Sequence, residues 1–209
     1  MAYFVAILVA YLLGSIPFGV LVVRLVKKVD VREYGSGVTG ATNVLRTAGP
    51  GPAVVALVGD LGKGALAVLI ARLLSDAPVA HALAGIAVAV GHIWPVFARF
   101  RGGRGVLTGL GGTLVLAPWA GLAAVAVFLP VVAVSRFVSL GSITAATTAF
   151  VVVVGTTLAG SYPMPYLAFA LVVGPLLVLR HGPNIQRLIK GTEHRLGQRA
   201  RSRKPEPEA

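Results

Sequence analysis

The sequence predicts an all-α, polytopic integral membrane protein. Three observations carry this. Hydrophobic residues make up 56% of the 209-residue chain and charged residues only 12%, against about 25% charged in soluble domains. Mean hydropathy is +0.84. Apolar runs of spanning length recur along the whole chain.

A spanning helix needs about 20 apolar residues. Residues 2–23, 52–74 and 79–97 meet this in the first half, and 138–159 and 162–179 in the second. Between them, residues 106–134 are long for one crossing and short for two. The first run has no Lys or Arg ahead of it and no small-residue cleavage site, so it reads as a retained helix rather than a signal peptide.

Charge placement orients the helices. The formal net charge of +12 is by itself compatible with nucleic acid or an anionic membrane. Arg24, Lys27, Lys28 and Arg32 follow the first run. The positive-inside rule therefore places the N-terminus outside and residues 24–51 in the cytoplasm. Arg99, Arg101 and Arg104 return to that side after the third run, and eight Lys and Arg residues fall in 180–209. Arg136 and this tail join them only if 106–134 is a hairpin turning near Pro118. The prediction is seven transmembrane helices, the two in the hairpin short for a bilayer about 30 Å thick. The C-terminus is then cytoplasmic. All 19 Lys and Arg residues except Lys63 and Arg72 face the cytoplasm. Topology thus accounts for the charge, and no nucleic-acid partner is expected. Residues 1–194 form the seven-helix domain. Residues 195–209 form a basic, disordered tail at the anionic lipid surface.

The chain has no cysteine, which excludes disulfides, thiolate metal sites and a cysteine nucleophile. The polar chemistry gathers on the cytoplasmic side, in "GSGVTGATNVLRTAG" (35–49), "RFRGGRGVLTG" (99–109), "SRFVSLGS" (135–142) and "RHGPNIQRLIKGTE" (180–193). Glycine turns that expose backbone N–H groups, joined by arginine, suit phosphate oxygens.

In the first segment, Gly35, Gly37 and Gly40 match G-x-G-x-x-G, but a membrane helix precedes them where a dinucleotide site needs a strand. Ser36, Gly37, Gly40, Thr42, Asn43 and Arg46 are read instead as an anion-binding loop, the plain alternative being a flexible connection. Gly102, Gly103 and Arg104 form a glycine turn around one arginine, equally readable as a cytoplasmic turn. Asp60 and Lys63, three apart within an apolar span, share a helix face. Intramembrane charges point to function by default, and a structural ion pair tying helices is the plainer reading. A Walker loop is excluded because Gly64 follows the lysine.

His181 and Asn184 stand at i and i+3 after the last run, as a titratable ring and an amide donor or as an interfacial histidine and a helix cap. Glu193 offsets nearby basic charge, and His194 is solvated. His81 and His92 lack metal-ligand spacing, so no metal is expected, nor any other cofactor. Neither a His-x4-Asp pattern nor a G-x-S-x-G elbow occurs. An enzyme of this kind would work by positioning and charge stabilisation.

Taken in order, "GSIPFG" (14–19), the 35–49 loop, "GDLGKG" (59–64), "GHIWPVFARFRGGRGV" (91–106), "SRFVSLGS" and "RHGPNIQRLIKGTE" resemble the bacterial membrane-bound glycerol-3-phosphate acyltransferases that use acyl-phosphate as donor. The resemblance runs to Glu193. It implies transfer of a fatty acyl group from acyl-phosphate to the 1-hydroxyl of glycerol 3-phosphate, giving lysophosphatidic acid and inorganic phosphate, in phospholipid biosynthesis. It also implies a seven-helix protein of the bacterial inner membrane, membrane lipids around it, and a separate soluble phosphate acyltransferase making the donor. The family's three motifs fall on Gly35–Arg46, Gly102–Thr108 and Arg180–Glu193. Val38 stands where the family has Asn, and Arg104 where it has Lys. On this reading Arg46 and Arg104 clamp phosphates with Ser36 and Thr42, while Ser142, His181 and Asn184 orient the donor and the attacking hydroxyl. The rival reading is a transporter for an organic phosphate, which would show polar features deep in several helices and related halves.

Overall fold

The computed structural model describes residues 2–200 and 202–203, which contain ten α-helices and no strand. Helix α1 covers Ala2–Gly14 and α2 covers Phe18–Lys27. The first apolar run is therefore interrupted at residues 15–17, although Tyr3–Lys27 still counts as one span. Pro17, which lacks an N–H and crowds the preceding turn, stands at the break, and α2 carries the span on to Lys27. The Ile16 carbonyl at this break accepts a hydrogen bond from Lys63 Nζ at 2.8 Å.

A 3₁₀ turn at Val31–Glu33 leads to the short helix α3, Ala41–Ala48. Val44 of α3 is buried with Val20, Val23, Val31, Ala53 and Ala56. That apolar cluster seats the polar loop 35–49 on the membrane domain. Helices α4 (Pro50–Leu74) and α5 (Pro78–Ile93) follow.

The hairpin expected in 106–134 is present as α6 (Val106–Leu116) and α7 (Pro118–Ser135). Only α6 is short, however. It has 11 residues, whereas α7 has 18 and is about 27 Å long. The turn sits early because Pro118 opens α7, the position where its missing N–H costs nothing. Helices α8 (Val138–Leu158), α9 (Pro165–Leu179) and α10 (Gly182–Ile189) complete the chain, with α10 bent 49° from α9.

Five segments are long and apolar enough to cross a bilayer: Tyr3–Lys27, Pro50–Leu74, Pro78–Ala98, Pro118–Ser135 and Val138–Leu158. The pair α9–α10 adds a sixth only if the two bent helices are counted as one crossing. Large apolar side chains such as Leu73, Trp119, Leu129, Val134 and Leu158 point outward, as lipid contact requires. The chain is an integral membrane protein.

Small residues let the helices touch. A Cβ on Gly111 would fall on the Leu61 carbonyl, and one on Gly64 on the Thr108 carbonyl, so α4 and α6 meet backbone to backbone. At this contact Thr108 Oγ1 donates to the Asp60 carbonyl at 3.0 Å. Val68, Ile93, Leu116, Phe169, Val173 and Leu177 form the main core.

Candidate active site

One cavity of about 240 Å³ runs between α3, α6, α8 and α9. Its lining changes character along each helix. On α8, Ser139, Ser142, Ala146, Ala149 and Val153 line it in succession at helical spacing, a stretch about 21 Å long. On α9 the order is reversed: Ala170, Val173 and Leu177 lead to His181. The cavity is thus polar at the loop end and apolar in the bundle, the form an amphiphile requires.

The polar end favours anions. The N-termini of α3, α6 and α10 open onto it at Gly40, Gly105 and His181, and none carries a side-chain cap. First-turn N–H groups have no partner within their own helix and sit at the positive end of its dipole. Arg46 and Arg104 line the same space, and among the described residues neither has a carboxylate within ion-pair distance. Arg46 Nη2 donates to the His194 carbonyl at 3.2 Å, while its buried Nε has no partner. Burial draws both guanidinium groups below the usual arginine range, and both remain cationic at neutral pH.

The same cavity is lined by a buried hydrogen-bonded cluster. Glu193 Oε1 accepts from Asn184 Nδ2 at 2.7 Å and from Ser139 Oγ at 2.8 Å, and Oε2 accepts from Arg187 Nε at 2.7 Å. Burial resists ionisation of Glu193, but these three donors outweigh it and hold the carboxyl below its usual range. The cluster turns the Asn184 amide so that its buried Oδ1 is left without a partner. His181 Nδ1 lies 2.7 Å from the Leu177 carbonyl. A carbonyl only accepts, so Nδ1 carries the hydrogen and Nε2 holds the free lone pair. Burial lowers the ring's pKa to about 4, which keeps it neutral near pH 7.

The predicted site residues divide by place. Ser36, Gly40, Thr42, Arg46, Arg104, Ser142, His181 and Asn184 all line the cavity. Asn43 also reaches it but spends its amide on the loop: Nδ2 donates to the carbonyls of Val31, Tyr34 and Val38, and Oδ1 accepts from Ser36 N–H. Gly37 has φ +73° and packs against Arg203. Gly102 and Gly103 pack on His92 rather than on the cavity. Ser142 Oγ donates to the Val138 carbonyl at 2.8 Å.

Three further residues were not picked out as site groups. Glu193 does more than offset charge, because it joins α8 to α10. Asp60 and His92 also line the cavity, although the first was read as a membrane ion pair and the second only as unsuited to metal. His194 is half-buried rather than solvated, because its carbonyl is held by Arg46 and its Nδ1 is enclosed. The segment after it lies across the loops. Leu196 N–H bonds the Arg136 carbonyl, Ala200 N–H the Arg46 carbonyl and Arg203 N–H the Glu33 carbonyl.

Comparison with known proteins shows the family. Residues 4–191 match the family model described as glycerol-3-phosphate acyltransferase. A glycerol-3-phosphate acyltransferase of Myxococcus xanthus is 48% identical, the match covering 90% of this chain and 97% of that one. One of Prochlorococcus marinus is 44% identical, covering 92% and 96%. The crystal structure of PlsY, an integral membrane glycerol 3-phosphate acyltransferase, in its glycerol 3-phosphate form superimposes with a TM-score of 0.86 at 41% identity, covering 94% of this chain and 96% of that one. Its lysophosphatidic acid form gives 0.83 at 39% identity, with the same coverage. The chain belongs to the glycerol-3-phosphate acyltransferase family.

Proposed function

We propose that this protein transfers a fatty acyl group from acyl-phosphate to the 1-hydroxyl of glycerol 3-phosphate in the bacterial inner membrane. The observation that carries the reading is the cavity itself. Arg46, Arg104 and uncapped helix N-termini stand at one end, with an apolar channel along α8 and α9 at the other. Such a space takes a phosphate from the cytoplasm and an acyl chain from the bilayer. The positive-inside rule applied to a seven-helix topology supports a cytoplasmic position for this polar end, where a soluble phosphate acyltransferase would supply the donor.

The chemistry needs no protein nucleophile, because acyl-phosphate is already activated. The hydroxyl oxygen bonds to the acyl carbon, the bond from that carbon to the phosphate oxygen breaks, and the hydroxyl proton ends on the released phosphate. His181 Nε2 accepts the hydrogen bond from the attacking hydroxyl and so directs its lone pair. Asn184, held through its Nδ2 by Glu193, accepts at Oδ1 from the second hydroxyl. Ser142 stands where the lining turns from polar to apolar and, with its hydroxyl hydrogen on the Val138 carbonyl, orients the donor by packing at that boundary. Arg46 neutralises the leaving phosphate and Arg104 holds the phosphate of glycerol 3-phosphate, with charge stabilisation and orientation supplying the rate. Asn43 and Gly37 shape the loop, and Gly102 and Gly103 shape the turn that carries Arg104.

The rival transporter reading separates cleanly. Sealed vesicles holding the protein would be given labelled glycerol 3-phosphate with acyl-phosphate. The enzyme reading expects label in membrane lipid. Water-soluble label accumulating in the lumen would overturn it.

A further inference from the structure

Beneath the turn that carries Arg104 is a second buried polar group, formed by Asp60 and Lys63 of α4 and His92 of α5. Their side chains are 2%, 3% and 6% exposed, inside helices otherwise apolar. Lys63 Nζ lies 2.8 Å from Asp60 Oδ1, and His92 Nδ1 lies 3.4 Å from the same oxygen. Each residue also holds backbone. Lys63 donates to the Ile16 carbonyl at the α1–α2 break, and the Asp60 carbonyl accepts from Thr108. The His92 carbonyl accepts from Gly103 N–H at 3.2 Å.

The ring of His92 meets the turn directly. A Cβ on Gly103 would fall on His92 Nε2, and one on Gly102 on the His92 carbonyl. Only glycine lets the turn lie this close. The ring is held by its burial between Asp60, 3.4 Å from Nδ1, and the Gly103 backbone packed on Nε2. The turn therefore rests on a surface whose position is set by an ion pair anchored in α1, α4 and α5.

We infer that Asp60, Lys63 and His92 are positioning residues that set the height and register of the Gly102–Gly103 turn, and through it the placement of Arg104 for the glycerol 3-phosphate phosphate. A plain membrane ion pair would tie α4 to the α1–α2 break. It would require neither an imidazole packed on a glycine turn nor that Asp60 and His92 reach the cavity. The inference rests on the glycerol 3-phosphate reading given above.

The test compares purified wild type with His92→Ala, Gly103→Ala, and the paired change Asp60→Asn with Lys63→Met, which leaves no buried charge unpaired. Glycerol 3-phosphate binding is read by titration calorimetry, KM for each substrate by turnover, and integrity by the thermal midpoint. Affinity for glycerol 3-phosphate should fall about ten- to hundredfold, with donor KM unchanged. Combining His92→Ala with Arg104→Gln should weaken binding no further than Arg104→Gln alone. Losses that track the thermal midpoint, equal changes for both substrates, or additive effects in the double variant would overturn the inference. Failure of wild type to bind glycerol 3-phosphate would instead overturn the functional reading, and the inference with it. If His92→Ala does not fold, Gly103→Ala carries the same comparison, because it displaces the turn and leaves the histidine in place.

Discussion

Asn184 Nδ2 donates to Glu193 Oε1 at 2.7 Å, joining the start of α10 to the residues beyond its end. This bond decides which face of the Asn184 amide the cavity receives. Replacing Glu193 with Gln keeps the volume but lets the amide exchange donor for acceptor toward Asn184, and it leaves Arg187 without its carboxylate. Charged hydrogen bonds of this kind contribute about 1.5–3 kcal/mol. Glu193→Gln should therefore lower stability by about 2 kcal/mol and reduce kcat, read by thermal unfolding in detergent and by turnover.

Arg104 needs charge more than shape. Arg104→Lys, which restores the residue implied at this position by the family resemblance, should leave the glycerol 3-phosphate KM within about threefold. Arg104→Gln removes one charge-assisted hydrogen bond worth about 1.5–3 kcal/mol, and should raise that KM about ten- to hundredfold. Steady-state kinetics with varied glycerol 3-phosphate checks both.

The buried neutral ring of His181 makes stability depend on pH. Its pKa falls from 6.5 in the unfolded chain to about 4 in the fold. Between these values the unfolded state binds more protons, so stability rises with pH across the window. The contribution is fully present above pH 6.5 and is lost as pH falls toward 4. Thermal midpoints recorded from pH 4 to 8 should show this slope in wild type, and a shallower one in His181→Asn.

Ala149 lies on the apolar part of the α8 stripe, about 10 Å beyond Ser142. A larger side chain there shortens the channel. Ala149→Phe should reduce turnover of long-chain acyl donors and spare short-chain ones, which a series of acyl-phosphates measures.

The membrane class and the gathering of polar segments were legible because both depend on local composition. Charge near helix ends also indicated the hairpin, and Pro118 marked its turn. What spacing could not show was contact across the fold. Glu193 is one acid in a basic stretch, and its partner Ser139 lies 54 residues away. The α8 stripe reads in sequence as small residues suited to helix packing. It becomes a channel wall only because α6 and α9 line the same cavity with it. Asp60 and Lys63 could be paired from spacing alone, whereas the ring of His92 joins them only through the packing of α5. Asn43 shows the converse: an amide in a polar loop reads as a ligand, but three nearby carbonyls occupy its donors.

The central claim is acyl transfer from an acyl-phosphate donor to glycerol 3-phosphate. The most direct measurement gives purified protein, in detergent or lipid vesicles, acyl-phosphate and labelled glycerol 3-phosphate. Lysophosphatidic acid and inorganic phosphate are quantified together, with acyl-CoA as the comparison donor. Equal amounts of the two products from acyl-phosphate, abolished by replacing Arg46 and Arg104 together, is the predicted result. Lysophosphatidic acid from acyl-CoA alone, or phosphate released without lipid formed, would contradict it.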